Sequence, residues 1–544
     1  MRKTIRKTVP ALMACAVMGS ALIGCSDKTE EPSAASPSAG ASAAPAAAAY
    51  PIQTDKTLTY WGQLPNALVG VKSKHDEVPF YQEWQKRTGV KLSFTTPTAN
   101  QINEAFNVML ASGDLPDVIE YNFFGFPGGP EKAIKDGYIL RLNDLIDKYA
   151  PNYKKFLQEH PELDKMVKTD NGSYYSFPTL RVDDFLLTFQ GPVIRKDWLD
   201  DLGLPVPETI DEWTTTLKAF KEKKGAKAPI SFISKPRVFN DLNNGAFVGA
   251  FGVTRDFYIE NDTIKFGPAE KGYKDFLALF RQWYADGLLD KDIATVDSKV
   301  LDANITSGTT GATWGLAGGG IGKWQPLLAE KNPKSTMVGT KYPVLTKGTT
   351  AKFGQRDYAY SPGYMAAVSA KSKNAELAVK MLDYAYSEEG RTFFNFGTEG
   401  VSYTMVNGTP TYTDLLMKNP DKLAPSQAMS LYIRGNTGGP FVMDKRVSEQ
   451  YLALPEQKSA IELWQKTDMV KYQLPLLTPT PEESAEFAKI MADINTLVDE
   501  MTLKIILGTE PLDSFEKYVE KMSSVKLSRA IEIKKAALER YNKR

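Results

Sequence analysis

The chain has 544 residues, 42% hydrophobic, 11% aromatic and 24% charged, and its 66 basic and 65 acidic side chains leave a formal charge of +1. That near-balance offers no basic excess of the kind nucleic acid demands. Of two cysteines one, Cys15, lies in the apolar N-terminal run, so with two histidines a cysteine-histidine zinc site is excluded, and a Ser-His-Asp triad would have to recruit His75 or His160, whose polar flanks (Ser-Lys-His-Asp-Glu and Gln-Glu-His-Pro-Glu) read as surface.

In chain order, Arg2, Lys3, Arg6 and Lys7 precede an apolar run from Val9 to Gly24. It is shorter than the roughly 20 residues a spanning helix needs. Residues 1–24 therefore read as an export signal. The run ends Leu22-Ile23-Gly24-Cys25, which resembles the lipobox of bacterial lipoproteins and implies a diacylglycerol on Cys25. A signal containing a stray cysteine is the alternative. Residues 25–50 are rich in Ala, Ser and Pro, with no aromatic before Tyr50, and read as a flexible tether. Loss of the signal removes four basic residues and leaves a formal charge of −3. Cys15 goes with it, so the mature body has no thiol pair for a disulfide. No second apolar run is long enough to cross a bilayer. The expectation is a body held by lipid on the outer, extracytoplasmic face of the cell membrane.

The body opens with a strand at Thr57–Trp61, a helix over 80–88 closed by Gly89, a strand at Val90–Phe94, a helix over 102–111 and a strand at Asp117–Tyr121. Strand-helix-strand-helix-strand predicts a parallel sheet, with ligands beyond its carboxyl ends at 61–64 and 121–126. Asp170-Asn-Gly-Ser173 reads as a hairpin turn, and a hinge is expected near Arg181. A second unit follows, with helices at 211–223 and 271–285, strand character at Gly311–Trp314 and again at Tyr358–Val368, and an amphipathic helix over 374–387. The end, from about 483 to 543, is strongly helical.

Five stretches occur in order: Asp114-Leu-Pro-Asp117-Val-Ile; Ile305-Thr-Ser-Gly-Thr-Thr-Gly311-Ala-Thr-Trp314; Ala375 to Gly390; Asn395-Phe-Gly-Thr-Glu-Gly-Val-Ser-Tyr403; and Leu507 to Tyr518. Together they resemble the extracellular solute-binding proteins, family 1, of carbohydrate ABC importers, in the long LplA/LipO-type lipoprotein subgroup. The resemblance covers essentially the whole mature chain. It implies an α/β, two-lobe periplasmic-binding-protein-like (type II) fold with a ligand cleft between the lobes and extra C-terminal helices. By that analogy 51–182 and 345–392 form one lobe, and 183–344 with 393–544 the other. The implied partners are an oligosaccharide and the transmembrane subunits of an ABC permease, with the chain a monomer that does no chemistry on its ligand.

Sugars offer apolar CH faces and rings of hydroxyls, so their sites combine flat aromatics with amides, carboxylates and Arg. Trp61 and Gln63 end the first strand, Tyr121, Asn122 and Phe124 end the third, and Trp314 stands where the resemblance places a cleft aromatic. Tyr364, Glu399 and Tyr403 lie near the expected later crossovers, with Trp324 and Arg434 as further candidates. Core packing is the competing reading for each ring. The Gly-rich run Gly315–Lys323 fails as a phosphate loop, since Ala317 stands where the first glycine belongs and Trp324 where Ser or Thr must hold magnesium. Acid pairs such as Asp183-Asp184 and Glu388-Glu389 leave a lipid-tethered lyase or glycosidase as the alternative function. No cofactor is expected. Calcium, which some sugar-binding relatives hold, finds only incomplete loops at Asp170-Asn171-Gly172 and Asp241–Gly245.

Overall fold

The computed structural model describes residues 49–98, 101–234, 245–435 and 438–544, and the backbone alone of Tyr364. Cys25, most of the tether and the candidate calcium positions 241–244 lie outside these residues.

Strand Thr57–Trp61 alternates as its sequence suggests, with Leu58 and Tyr60 buried and Thr57 and Thr59 exposed. It pairs in parallel with Lys91–Thr95 on one side and with Val118–Glu120 on the other. Helix Pro79–Thr88 begins on a proline, buries Phe80, Tyr81 and Trp84, and stops at Gly89, whose φ of 75° ends the helix. Three later strands complete a six-stranded sheet in the order Val442–Met443, Phe177–Arg181, Tyr360–Val368, Val118–Glu120, Thr57–Trp61, Lys91–Thr95. Tyr360–Val368 runs antiparallel to both of its neighbours. The chain thus returns to this sheet twice.

A second, three-stranded antiparallel sheet is ordered Ala312–Leu316, Gln190–Arg195, Met337–Gly339. Helices Ile210–Lys224, Lys271–Ala285 and Pro455–Trp464 bury Trp213, Trp283 and Trp464 in its core. The Trp464 ring lies so close to the sheet that a Cβ at Gly191 would come within 2.5 Å of it. Helices Pro481–Ile506, Phe515–Ser524 and Leu527–Asn542 make the end helical as expected, and share a small core around Ile494, Met522 and Ala530.

The two large cores divide the chain differently from the expected boundaries. Ala351 packs in the second core, whereas Phe393, Phe394, Phe441 and Val442 pack in the first. The cause is strand pairing: Val442–Met443 adds to the edge of Phe177–Arg181 and draws its flanks with it. The chain therefore crosses between the cores near 182–189, 352–359 and 443–452. Buried Gln355 ties the first two crossings, accepting from Phe189 N (2.8 Å) and donating to Leu187 O (3.1 Å). Ion pairs Asp184–Arg356 (2.8 Å) and Asp183–Lys445 (3.0 Å) link all three at the surface.

His75 is not a surface residue. It is 1% exposed, stacked on Phe94, with Nδ1 2.6 Å from Thr96 Oγ1. Burial, with the nearby Arg434 charge, holds its pKa down to about 3. Its aromatic neighbours, set by the fold, outweigh its polar flanks in sequence. His160 is half-buried, its ring tilted against Phe156 at 4.6 Å between centroids.

Candidate functional site

A cavity of about 390 Å3 opens between the two cores, within the range of small-molecule sites. Thr179 and Arg181, two apart on strand Phe177–Arg181, point to one face and form its first wall. The end of strand Ala312–Leu316 and the turn through Gly319 form the second. Helix Lys445–Tyr451 supplies Val447, Ser448 and Tyr451. Gly318 is required here, since a Cβ would lie 2.8 Å from Tyr451 Cε1. Phe185, Phe189 and Tyr451 provide the aromatic faces, and Thr179, Ser361, Ser426 and Ser448 the hydroxyls. Among the described lining residues there is one charged side chain, Arg181, and no carboxylate. Its Nη1 donates to Asp357 (2.7 Å) and its Nη2 to Ser361 Oγ (3.2 Å), and its Nε is buried with no partner among the described residues.

Behind this wall stands a buried ionic network. Arg434 Nη2 donates to Glu120 Oε1 (2.6 Å), Nη1 to the Tyr81 hydroxyl (2.6 Å) and Nε to Gly438 O (2.7 Å), and the Tyr60 hydroxyl donates to Glu120 Oε2 (2.5 Å). Burial opposes the Arg434 charge, but Glu120 and the two phenols outweigh it and keep the guanidinium protonated. Burial likewise pushes the Tyr81 hydroxyl up to about 12. Arg434 thereby holds the backbone whose Gly435 and Gly438 line the cavity. It is a support for the wall, not a group in it.

A second hollow of about 310 Å3 lies at the carboxyl ends of the first and third strands, lined by Gln63, Asn103, Glu120, Tyr121, Asn122 and Gly363 among others. The Tyr121 hydroxyl donates to Asn103 Oδ1 (2.8 Å), and Asn122 Oδ1 accepts from Gly125 N (3.0 Å). Strand Tyr360–Val368 separates the two spaces: Ser361 faces the cavity and Gly363 the hollow, where the register with Phe177–Arg181 shifts between Ser361 and Met365. Such an irregularity re-aims residues on either side of it.

Of the residues singled out from sequence, the hollow brings together Gln63, Tyr121 and Asn122. Trp61 is 4% exposed and packs in the first core against Phe106 and Tyr121. Phe124 is half-buried, 6.5 Å from the Tyr360 ring. Trp314, placed in the cleft by the resemblance, is instead a core residue. It is 3% exposed, edge-on to Tyr342 in the second core. Its flanking glycines make room for other rings: a Cβ at Gly315 would meet Trp324 at 2.8 Å, and one at Gly311 would meet Trp198 at 2.5 Å. Trp324 is core as well, with Nε1 donating to Asp302 (2.7 Å). Exposed Glu399 bridges to mostly buried Tyr403, which opens the hairpin at 403–412, and neither lines either space. The side chain of Tyr364 is outside the described set. Sequence reasoning missed Phe185, Phe189 and Tyr451; the hinge expected near Arg181 was the one signal pointing to the first two.

Among the described residues no three His, Cys, Asp or Glu side chains cluster as metal ligands. The Asp170 carboxylate, a candidate calcium ligand, is instead held by Arg540 (2.7 Å) and Arg544 (2.5 Å) from the C-terminal helix.

The fold and sequence have known counterparts. Residues 74–392 match the family model described as bacterial extracellular solute-binding protein. The chain is 25% identical over 536 residues to the fructooligosaccharide ABC transporter substrate-binding protein FusA of Streptococcus pneumoniae, covering 90% of this chain and 92% of that one. It is 26% identical over 380 residues to lipoprotein LipO of Bacillus subtilis, covering 67% and 71%. The crystal structure of the alginate-binding protein AlgQ2 without calcium ion superposes with a TM-score of 0.71 at 28% identity, over 89% of this chain and 99% of that one. A cavity between two α/β lobes joined by three crossings, and a family match over more than half of the sequence, make this chain a member of the bacterial extracellular solute-binding protein family.

Proposed function

We propose that the protein captures an oligosaccharide outside the cytoplasmic membrane and delivers it, unaltered, to an ABC importer. The cavity between the cores carries the reading. Its walls come from both lobes and from the crossings, so a ligand bound there gains contacts only when the lobes approach, which is how a two-lobe trap couples binding to closure. The ligands for which FusA and AlgQ2 are named, a fructooligosaccharide and alginate, support a glycan. The three rings and four hydroxyls of the cavity suit the alternating apolar and polar faces of a sugar. Amide-bearing Gln63 and Asn122 in the adjacent hollow extend the site for a ligand of several units.

A thermal-shift screen of the full chain against plant and bacterial oligosaccharides tests this, because a ligand bound only by the folded state raises the melting temperature. A hit should be recovered intact after incubation, and small-angle scattering should show compaction with it. A shortened glycan would replace this reading with the lipid-tethered enzyme. We place the protein at the membrane through a lipid on Cys25. Cys25→Ser should move it from the membrane to the soluble fraction.

A further inference from the structure

Sugar hydroxyls donate as well as accept, so a cavity taking a neutral glycan needs acceptors to receive their protons. Among its described lining residues the cavity between the cores is poor in side-chain acceptors. The Thr179 hydroxyl already donates to Gly439 O (2.5 Å) and accepts from Gly439 N (2.8 Å), and Ser361 Oγ already accepts from Arg181. No Asp, Glu, Asn or Gln is among its described lining residues. Other spaces in the molecule differ: Glu120 lines the hollow, Asp183, Glu388 and Asp444 a neighbouring cleft, and Glu208 and Glu456 a groove on the second lobe.

The one buried lining side-chain atom left without a described partner is, by contrast, a donor. A guanidinium carries five N–H groups in a planar fork that matches a carboxylate. At Arg181 one goes to Asp357 and one to Ser361, and Nε has no partner among the described residues. Asp357 is not among the lining residues, so Arg181 is the one charge the described walls present to a ligand. Phe185 and Phe189 beside it lower the local dielectric, which strengthens attraction to an anion. We infer that this cavity is built for an oligosaccharide bearing a carboxylate, and that Arg181 receives that group. The inference rests on the cavity being the glycan site.

The test is calorimetry on the full chain with trimers of galacturonate, mannuronate, guluronate and glucuronate, each beside its own methyl ester, together with neutral hexose trimers. An acid trimer should bind at least about tenfold tighter than its ester, as a charge-assisted contact is lost on esterification. The ratio should shrink as salt is raised. Arg181→Gln should bring it to within about twofold, and Arg181→Lys, which keeps charge without the fork, should retain part of it. An ester that binds as well as its acid, a ratio intact in Arg181→Gln, or binding of neutral trimers alone would overturn the inference. In the last case capture of a glycan stands and only its charge is wrong. If no glycan of either kind binds, both readings fall. The acid-to-ester ratio of the unaltered chain decides the preference even where a variant fails to fold.

Discussion

The hollow and the cavity lie on either side of one strand, and they are built in opposite ways. The hollow is assembled from residues close to the ends of two neighbouring parallel strands, Gln63, Tyr121 and Asn122, within a single lobe. The cavity gathers residues from about 179, 316, 361, 435 and 451, drawn from both lobes and from the crossings. The first is therefore preformed by one sheet, while the second depends on how two cores sit against each other. What supports the second is charge buried behind its wall: the Glu120–Arg434 pair, 8% and 4% exposed in its side chains.

Breaking that support should have the largest effect. Arg434→Met leaves Glu120 buried without its partner and should cost about 3–5 kcal/mol of stability in urea unfolding. A loss below 1 kcal/mol would mean the cavity wall stands without it. Trp314→Ala should cost a similar amount, about 3–5 kcal/mol, because a ring packed in the second core is removed. Affinity in the folded fraction should hold. A mutant that melts normally but binds weakly would return Trp314 to the site.

The next effect is on pH. His75 is held neutral in the folded state, with its pKa lowered from 6.5 to about 3, chiefly by burial. The unfolded chain binds that proton more readily, so the stability His75 contributes is present above pH 6.5 and is lost as pH falls toward 3. Between pH 6.5 and 4.5 the unaltered protein should lose about 2–3 kcal/mol more than His75→Phe does. Equal slopes for the two would show that the histidine protonates in place.

Smaller changes separate the two spaces by affinity. Tyr451→Ala removes an aromatic face from the cavity and should weaken a confirmed ligand by about 1–2 kcal/mol, a five- to thirtyfold rise in Kd. Gln63→Ala in the hollow should cost about 0.5–1.5 kcal/mol, and only for ligands long enough to reach it. A trimer and a longer oligomer titrated against Gln63→Ala distinguish the two. Equal losses for both lengths would place the hollow at the centre of the site and the cavity at its margin.

Much of the first lobe was legible because its signals are local. Alternation at Thr57–Trp61, the glycine after Thr88 and the short strand that follows Asp117 each follow from backbone sterics and burial over a few residues, and lie where the sequence put them. The same locality explains the hollow, since its residues follow directly from strand ends. The ordered motifs identified the family by the same token. Tertiary structure alone decided the rest. Periodicity reports that a residue faces inward but not what it meets, so Trp314 read as a cleft aromatic although Trp324 and Trp198 fill the spaces left by Gly315 and Gly311. Polar neighbours in sequence marked His75 as exposed, yet Phe94 and Tyr81 enclose it from elsewhere in the fold. The boundary near 392 moved because a two-residue strand at Val442–Met443 pairs across more than 200 residues with Phe177–Arg181. The cavity was the least legible part, since no local pattern encodes the meeting of segments that distant; only the packing of two cores across three crossings brings Arg181, Leu316 and Tyr451 to one space.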